Sequence, residues 1–364
     1  MPKRHNPPRL FESIRLRELE IPHRLWVAAM CQYSAVDGVP QPWHLAHLGS
    51  FAIGRAGLIV TEATAVNPEG RITIDDAGIW TDEQAAKWAE VVDFVHTQGV
   101  QIAMQIAHAG RKASPRPPYR GRGYHEIAEG GWETVGPSAL AYGELPPPRA
   151  LSRDEITGVV QDFADAARRA VEAGFDAIEI HGAHGYLQHQ FLSALSNHRT
   201  DEYGGDAQAR ARLTRETVAA VRAVMPEGMP LFIRLSATDW VEGGWTVQDT
   251  IALVPELVAL GVDFVSVSSA GNDHRQEIPV GPGYQLPLAR AVREATGVPV
   301  GAAGLITDSR QAETALVDGS ADVIFAARQF LREPGFALRA AAELGGVLEW
   351  PRQYRMARFE GSIP

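Results

Sequence analysis

The sequence predicts an α/β protein built as one closed (β/α)₈ barrel. Three observations carry that expectation. Eight short apolar, β-branched runs alternate with stretches of helical period. The runs read as buried on both faces, as strands of a parallel sheet covered by helices do. No Gly-x-Gly-x-x-Gly follows the first run, which disfavours the open, doubly wound alternative.

The strand-like runs are Leu25–Met30, Gly57–Ala63, Val100–Ile106, Ala177–His181, Leu231–Leu235, Phe264–Ser268, Val298–Ala302 and Val323–Ala326. The helical stretches that follow them, in order, are Trp43–Ile53, Asp82–Gln98, Arg153–Ala173, Ala207–Val224, Val247–Leu260, Leu286–Ala295, Ser309–Val317 and Gly335–Leu344. Gly99, Gly174, Gly261 and Gly297 stand where helix C-caps precede strands. One connection is out of proportion: residues 111–150, after strand three, are rich in Pro, Gly and Arg with little helical period. A loop of that length in a compact enzyme is read as a capping insertion over the pocket. Residues 1–364 are thus expected to form a single TIM barrel, with 345–364 as a C-terminal tail.

Length and composition agree with a single unit. The chain has 364 residues, 45% hydrophobic and 21% charged, and α/β barrels routinely exceed the usual domain size. A chain this long buries enough surface to need no disulfide or metal staple. The net charge of −10, spread along the chain, argues against nucleic acid or an anionic membrane surface as partner. The segment from Met1 to Leu10 is basic and Pro-rich without an apolar stretch behind it, and no run approaches a bilayer span. A single cysteine, Cys31, fits a reducing, cytoplasmic compartment. Lysine occurs only as Lys3, Lys87 and Lys112, which narrows any lysine chemistry.

Barrel enzymes place their chemistry at the C-terminal strand ends. Those positions hold Met30 and Cys31, Glu62 and Ala63, Gln105 and His108, His181 and His184, Arg234, Ser268 and Ser269, Gly304, and Arg328. The set is rich in donors and has no central carboxylate pair. His181 and His184 are three apart and Tyr186 follows; a helical turn after strand four puts both imidazoles on one face. Three readings stay open. A metal site needs a third ligand, with His108 and His189 as candidates. Two satisfied structural histidines are the plainer alternative. The third is a donor pair for a carbonyl or enolate oxygen, with Tyr186 as proton donor. Arg234 and Arg328 are cations at the mouth, and the small stretches Gly301–Gly304 and Ala326–Ala327 leave room for backbone N–H groups to meet a phosphate.

At this point the motifs match a known family. Met30-Cys31-Gln32-Tyr33, Glu62–Val66, Gln105–Lys112, His181–Leu187 and Ser196–Gly205 together resemble the old yellow enzymes, in the bacterial thermophilic-like branch of FMN-dependent ene-reductases and xenobiotic reductases. The likeness runs over residues 10–358. It implies an FMN contacted by Ala28, Ala29, Met30, Cys31, Ala63, Gln105 and Arg234, with its phosphate near Gly304, Ala327 and Arg328. It implies that His181 and His184 bind the substrate carbonyl, that Tyr186 donates the proton, and that Tyr33 lines the pocket beside a flavin-tuning Cys31. NADPH or NADH would reduce the flavin in a ping-pong order. Hydride would then pass from flavin N5 to the β-carbon of an activated alkene such as an enone, enal or maleimide.

This chain departs from relatives in having Ala28-Ala29 where Ser-Pro is common and Ala326-Ala327 where a glycine-containing step precedes the arginine. Relatives end in a Gln-Tyr-x-Arg stretch whose arginine reaches a neighbouring subunit, implying a homodimer or homotetramer; here the candidates are Arg355 and Arg358. Rival enzymes are a dienoyl-CoA reductase, a Schiff-base aldolase through Lys112 and a metal-dependent hydrolase; the non-enzyme rival is a flavin sensor. A dienoyl-CoA reductase needs an added iron–sulfur and dinucleotide region that one cysteine and this length do not accommodate.

Overall fold

The computed structural model describes residues 7–121 and 123–359. Eight parallel strands close on themselves: β1 (Leu25–Val27), β2 (Leu58–Val60), β3 (Gln101–Ala107), β4 (Ala177–Gly182), β5 (Leu231–Ser236), β6 (Phe264–Ser268), β7 (Val300–Ala302) and β8 (Val323–Ala326). Each pairs in parallel with the next, and β8 pairs with β1, so no barrel strand is left as an edge. The outer ring is α1 (Pro42–Ile53), α2 (Asp82–Thr97), α3 (Arg153–Glu172), α4 (Arg212–Val224), α5 (Val247–Ala259), α6 (Leu286–Thr296), α7 (Ser309–Val317) and α8 (Phe336–Leu344). The expected TIM barrel is therefore what the chain forms.

The boundaries differ most in two places. The first two strands are shorter than the apolar runs suggest. The N–H of Ala28 makes the last ladder bond, to Ala326 O at 3.0 Å, and β8 ends there, so Ala29 to Cys31 have no strand to pair with. The stretch before α4 is interrupted: Ala207–Arg210 forms a separate turn capped by Asp206, and the helix restarts at Arg212. Elsewhere local signals place the ends well. Thr81, Ser152 and Thr246 each cap a helix through a side-chain oxygen that accepts the N3 amide, and Gly99 (φ +72°) takes the left-handed turn after α2.

The barrel interior has an apolar floor. Trp26 of β1 lies 5.2 Å from Phe264 and 5.6 Å from Phe325 between ring centroids, and Phe232 lies 5.1 Å from Phe264. An antiparallel hairpin, Ile14–Leu16 with Leu19–Ile21, packs Ile14, Leu16 and Ile21 into the same cluster and closes the barrel from below. Each buried large side chain there is worth roughly 1.5–3 kcal/mol of transfer free energy. Because the pleat repeats every two residues, the next inward positions above Ala103, Ala177, Phe232 and Phe264 are Gln105, Glu179, Arg234 and Ser266. The outward positions between them, Met104, Ile178, Ile233 and Val265, pack against the helices. A polar layer thus rests on an aromatic one.

Residues 111–150 contain the single 3₁₀ turns Pro118–Arg120 and Ile127–Glu129 and two short parallel strands, Val135–Gly136 and Arg149–Ala150. The segment is pinned at its start by Arg111, whose Nη2 donates to Asn272 O at 2.6 Å, and at Trp132, whose ring lies 4.9 Å from the Arg71 guanidinium. No helix among the described residues is long and apolar enough to cross a membrane.

Candidate active site

The chain leaves β4 by a left-handed turn, not by the helical turn expected from the spacing of the histidines. His184 has φ +59° and Gly185 φ +71°, and the next helix begins only at Leu187. For His184 this conformation costs roughly 1–2 kcal/mol, so neighbours must hold it. They do so at every backbone polar group of the step. The His184 N–H donates to Ser236 Oγ at 2.9 Å, and its carbonyl accepts from Lys112 Nζ at 2.8 Å. The Gly185 N–H donates to His189 Nδ1 at 2.9 Å, and its carbonyl accepts from Gln190 Nε2 at 2.7 Å. Only glycine fits at 185, because a Cβ there would run into the Gly271 carbonyl.

This turn, not a helix face, brings the imidazoles together, with ring centroids 5.2 Å apart and edge to face. Tyr186 meets His181 in the same manner at 4.9 Å. Burial, followed by the Arg234 charge, pushes both histidines well below the ordinary imidazole range, so both are neutral at physiological pH. His181 Nδ1 accepts the Ala183 N–H at 3.2 Å, which leaves the ring proton on Nε2. His184 Nε2 and Ser268 Oγ lie 2.6 Å apart. Burial pushes the Tyr186 phenol well above its usual value, reinforced by Cys31 and Asp76, so it keeps its proton. The pair and the phenol form a neutral cluster in which His181 Nε2 and the Tyr186 hydroxyl carry protons that a bound oxygen could accept.

The other expected residues fall into two groups. A cavity of about 450 Å³ at the C-terminal strand ends is lined by His184, Arg234, Gly304, Ala327 and Arg328. Arg234 is half-buried while Arg328 is exposed, and among the described residues neither lies within 4 Å of a carboxylate. Gly304 has φ +118°, and a Cβ there would press on the Tyr284 ring at 3.2 Å and Gln285 N at 3.3 Å. The N–H groups of Gly304 and Leu305 find no protein acceptor among the described residues.

Ala28, Ala29, Met30, Cys31, Tyr33, Ala63, Gln105, His181 and Tyr186 do not line that cavity. Ala28, Ala63, Gln105 and His181 are buried at their strand ends, while Ala29, Met30, Cys31, Tyr33 and Tyr186 are half-buried. Burial, then Asp76 and Glu62, push the Cys31 thiol well above its usual value, so it is protonated. Glu62 anchors this corner by accepting the Gln32 N–H at 3.0 Å while its other oxygen lies 3.0 Å from His44 Nε2. Tyr33 follows with a left-handed φ of +51°, which no residue type there announces.

Reasoning from strand ends alone missed Gln276, Tyr284, Gln285 and Arg332, which also line the cavity. Arg332 had a signal, four residues after Arg328 on one short helix. Tyr284 and Gln285 lie in the irregular connection between β6 and α6, where periodicity says nothing; Gln285 Nε2 donates to Ser269 Oγ at 3.1 Å. No three His, Cys, Asp or Glu side chains among the described residues are grouped to hold a metal ion. His189 instead faces Asp239, with Nε2 2.9 Å from Oδ1 and both side chains fully buried.

Comparison with known proteins adds an independent line. Residues 9–345 match the model of the NADH:flavin oxidoreductase / NADH oxidase family. The chain is 44% identical over 349 residues to the NADPH dehydrogenase of Bacillus subtilis (strain 168), a match covering 95% of this chain and 98% of that protein. Among solved structures, morphinone reductase superposes with a TM-score of 0.78 at 32% identity, over 96% of this chain and 92% of that one. The old yellow enzyme homologue from Zymomonas mobilis gives 0.75 at 28% identity, over 91% of each chain.

Proposed function

Since this chain belongs to the NADH:flavin oxidoreductase / NADH oxidase family, we propose that it reduces activated alkenes with FMN and NAD(P)H. Flavin-dependent NAD(P)H oxidoreduction is the chemistry of that family. The observation that carries the finer reading is the neutral pair His181 and His184 with the protonated Tyr186 edge-on beside it. Such a cluster suits a substrate that develops negative charge on oxygen and then needs a proton on carbon. An α,β-unsaturated carbonyl, as in an enone, enal or maleimide, is that substrate.

The residues fit the cofactor. Arg234, Arg328 and Arg332 line one cavity without carboxylate partners within 4 Å among the described residues, an arrangement that favours an anion. The free N–H groups of Gly304 and Leu305 suit a phosphate, and Ala327 and Arg328 complete that end. Gln105 and Arg234 would face the ring system, with Ala28, Ala29, Met30, Cys31 and Ala63 packed along it. When bound, FMN would supply the hydride received from NAD(P)H. His181 and His184 would hold the substrate oxygen and lower the barrier to the extent that they bind the enolate better than the carbonyl. Tyr186 would give its proton to the α-carbon and regain one from solvent, while Tyr33 and Cys31 would border the alkene. Residues 111–150 would cap the pocket, and the tail, through Arg355 or Arg358, would reach a neighbouring subunit's site.

The test is the absorbance spectrum of the purified protein, recorded without oxygen before and after NADPH and then after an enone or maleimide. Bleaching by NADPH and recovery on alkene addition are expected. A protein that stays colourless with added FMN overturns the cofactor reading. Bleaching without recovery favours a flavin sensor.

A further inference from the structure

Under the Arg234 side of the site lies a carboxylate that the proposed reaction leaves unused. Glu179 is 1% exposed and sits on β4 two residues before His181, directly above the aromatic floor. Gln105 Nε2 donates to its Oε1 at 2.6 Å, and the Ser266 hydroxyl donates to its Oε2. Register explains the meeting, since Glu179 pairs with Gln105 on β3 and Arg234 pairs with Ser266 on β6. Both of its oxygens act as acceptors, so the carboxyl dictates how its neighbours turn. Gln105 must direct its NH₂ at Glu179, and its carbonyl Oε1 then occupies the opposite edge of the amide. Burial pushes the Glu179 carboxyl above its usual range, and the Arg234 charge and the two donors act against that rise. Of the anionic groups that act on Arg234, Glu179 acts most strongly.

We infer that Glu179 is a positioning residue for the flavin: it locks Gln105 as an acceptor and mutes the Arg234 charge. The inference rests on the FMN reading above. An isoalloxazine ring carries one N–H between two carbonyls and needs an acceptor opposite it, which a flipped Gln105 amide would replace by a donor. The ring also gains negative charge on reduction, so an unmuted Arg234 would favour the reduced form.

Glu179→Gln is nearly isosteric and tests both effects. FMN affinity, from fluorescence titration, should fall at least about tenfold. The two-electron midpoint potential should rise by about 30 mV, a tenfold shift in that equilibrium. In a Gln105→Ala background the same substitution should lose its effect on affinity and keep its effect on potential, because only the first acts through the amide. Unchanged affinity and potential, or an affinity loss that simply adds to that of Gln105→Ala, would overturn the inference. If Glu179→Gln does not fold, Ser266→Ala loosens the carboxylate without moving a charge and should weaken FMN about fivefold; no weakening would be equally fatal. Wild-type protein that fails to bind FMN overturns the cofactor reading instead, and the wild-type titration separates the two.

Discussion

Lys112 donates its ammonium to the carbonyl oxygens of His184 and Gly271, each at 2.8 Å, and so ties the segment after β3 to the loops after β4 and β6. The same ammonium lies 4.5 Å from the Tyr142 ring and 5.1 Å from the Tyr186 ring. The one candidate for lysine chemistry is thus engaged in holding the left-handed turn that sets the spacing of His184 and Tyr186.

Lys112→Met should therefore act on the alkene half-reaction. A hydrogen bond to a charged group is worth about 1.5–3 kcal/mol, so alkene reduction should slow roughly tenfold to a hundredfold. Flavin reduction by NADPH should change far less. Stopped-flow records of the two half-reactions make the comparison, and equal losses in both would remove Lys112 from this role.

Burial, then Arg111, push Lys112 down to about 7. The charged clamp is present below that pH and is lost above it, so the alkene half-reaction should decline as pH rises through about 7. The decline should be absent in Lys112→Met. The stability sign is opposite: the unfolded lysine, near 10.4, binds more protons than the folded one between about 7 and 10. Its burial penalty is full below pH 7 and is relieved as pH rises, which urea titrations of wild type and Lys112→Met can resolve.

Asp239 stands behind the same turn. Burial raises its proton affinity, but the attraction of His189 and the hydrogen bonds from His189, Ser193 and the Trp245 N–H outweigh this and hold it below the usual carboxylate range. Asp239→Ala leaves the buried His189 Nε2–H without an acceptor and should cost about 1–3 kcal/mol by chemical denaturation. A loss under 1 kcal/mol would mean that His189 finds another partner.

His23, His47, His108, His181 and His184 are all lowered, chiefly by burial; His23 and His47 fall to about 4 and His108 to about 3. Each is neutral in the fold but takes up a proton in the unfolded chain below about pH 6.5. Stability should therefore fall as pH drops from about 6.5 toward 4. Thermal melts across that window check it; a flat Tm would contradict neutral burial.

Tyr186→Phe removes the phenol and keeps the ring against His181. Alkene reduction should slow by about 10²–10⁴, the usual span for a lost general acid, with flavin reduction nearly unchanged. Parallel loss of both half-reactions would argue against proton donation.

Much of this was legible along the chain. The alternation of apolar runs and helical stretches is a local property, and so are the caps at Thr81, Ser152 and Thr246. The strand-end rule gathered His184, Arg234, Gly304 and Arg328, which line one cavity. The rule failed for Tyr284 and Gln285 because an irregular connection has no period to read.

By itself, then, the sequence determined the barrel, the face that carries the candidate site and most of the polar groups proposed for it, since each depends on short-range pattern. Tertiary structure alone decided the left-handed turn at His184 and the partners that hold it. Lys112 reaches His184 and Gly271 across 72 and 159 positions of chain, and Glu179 meets Gln105 across 74. The second pairing follows from how the strands register as the barrel closes, and a slip of one residue would turn Glu179 or Gln105 to the opposite face.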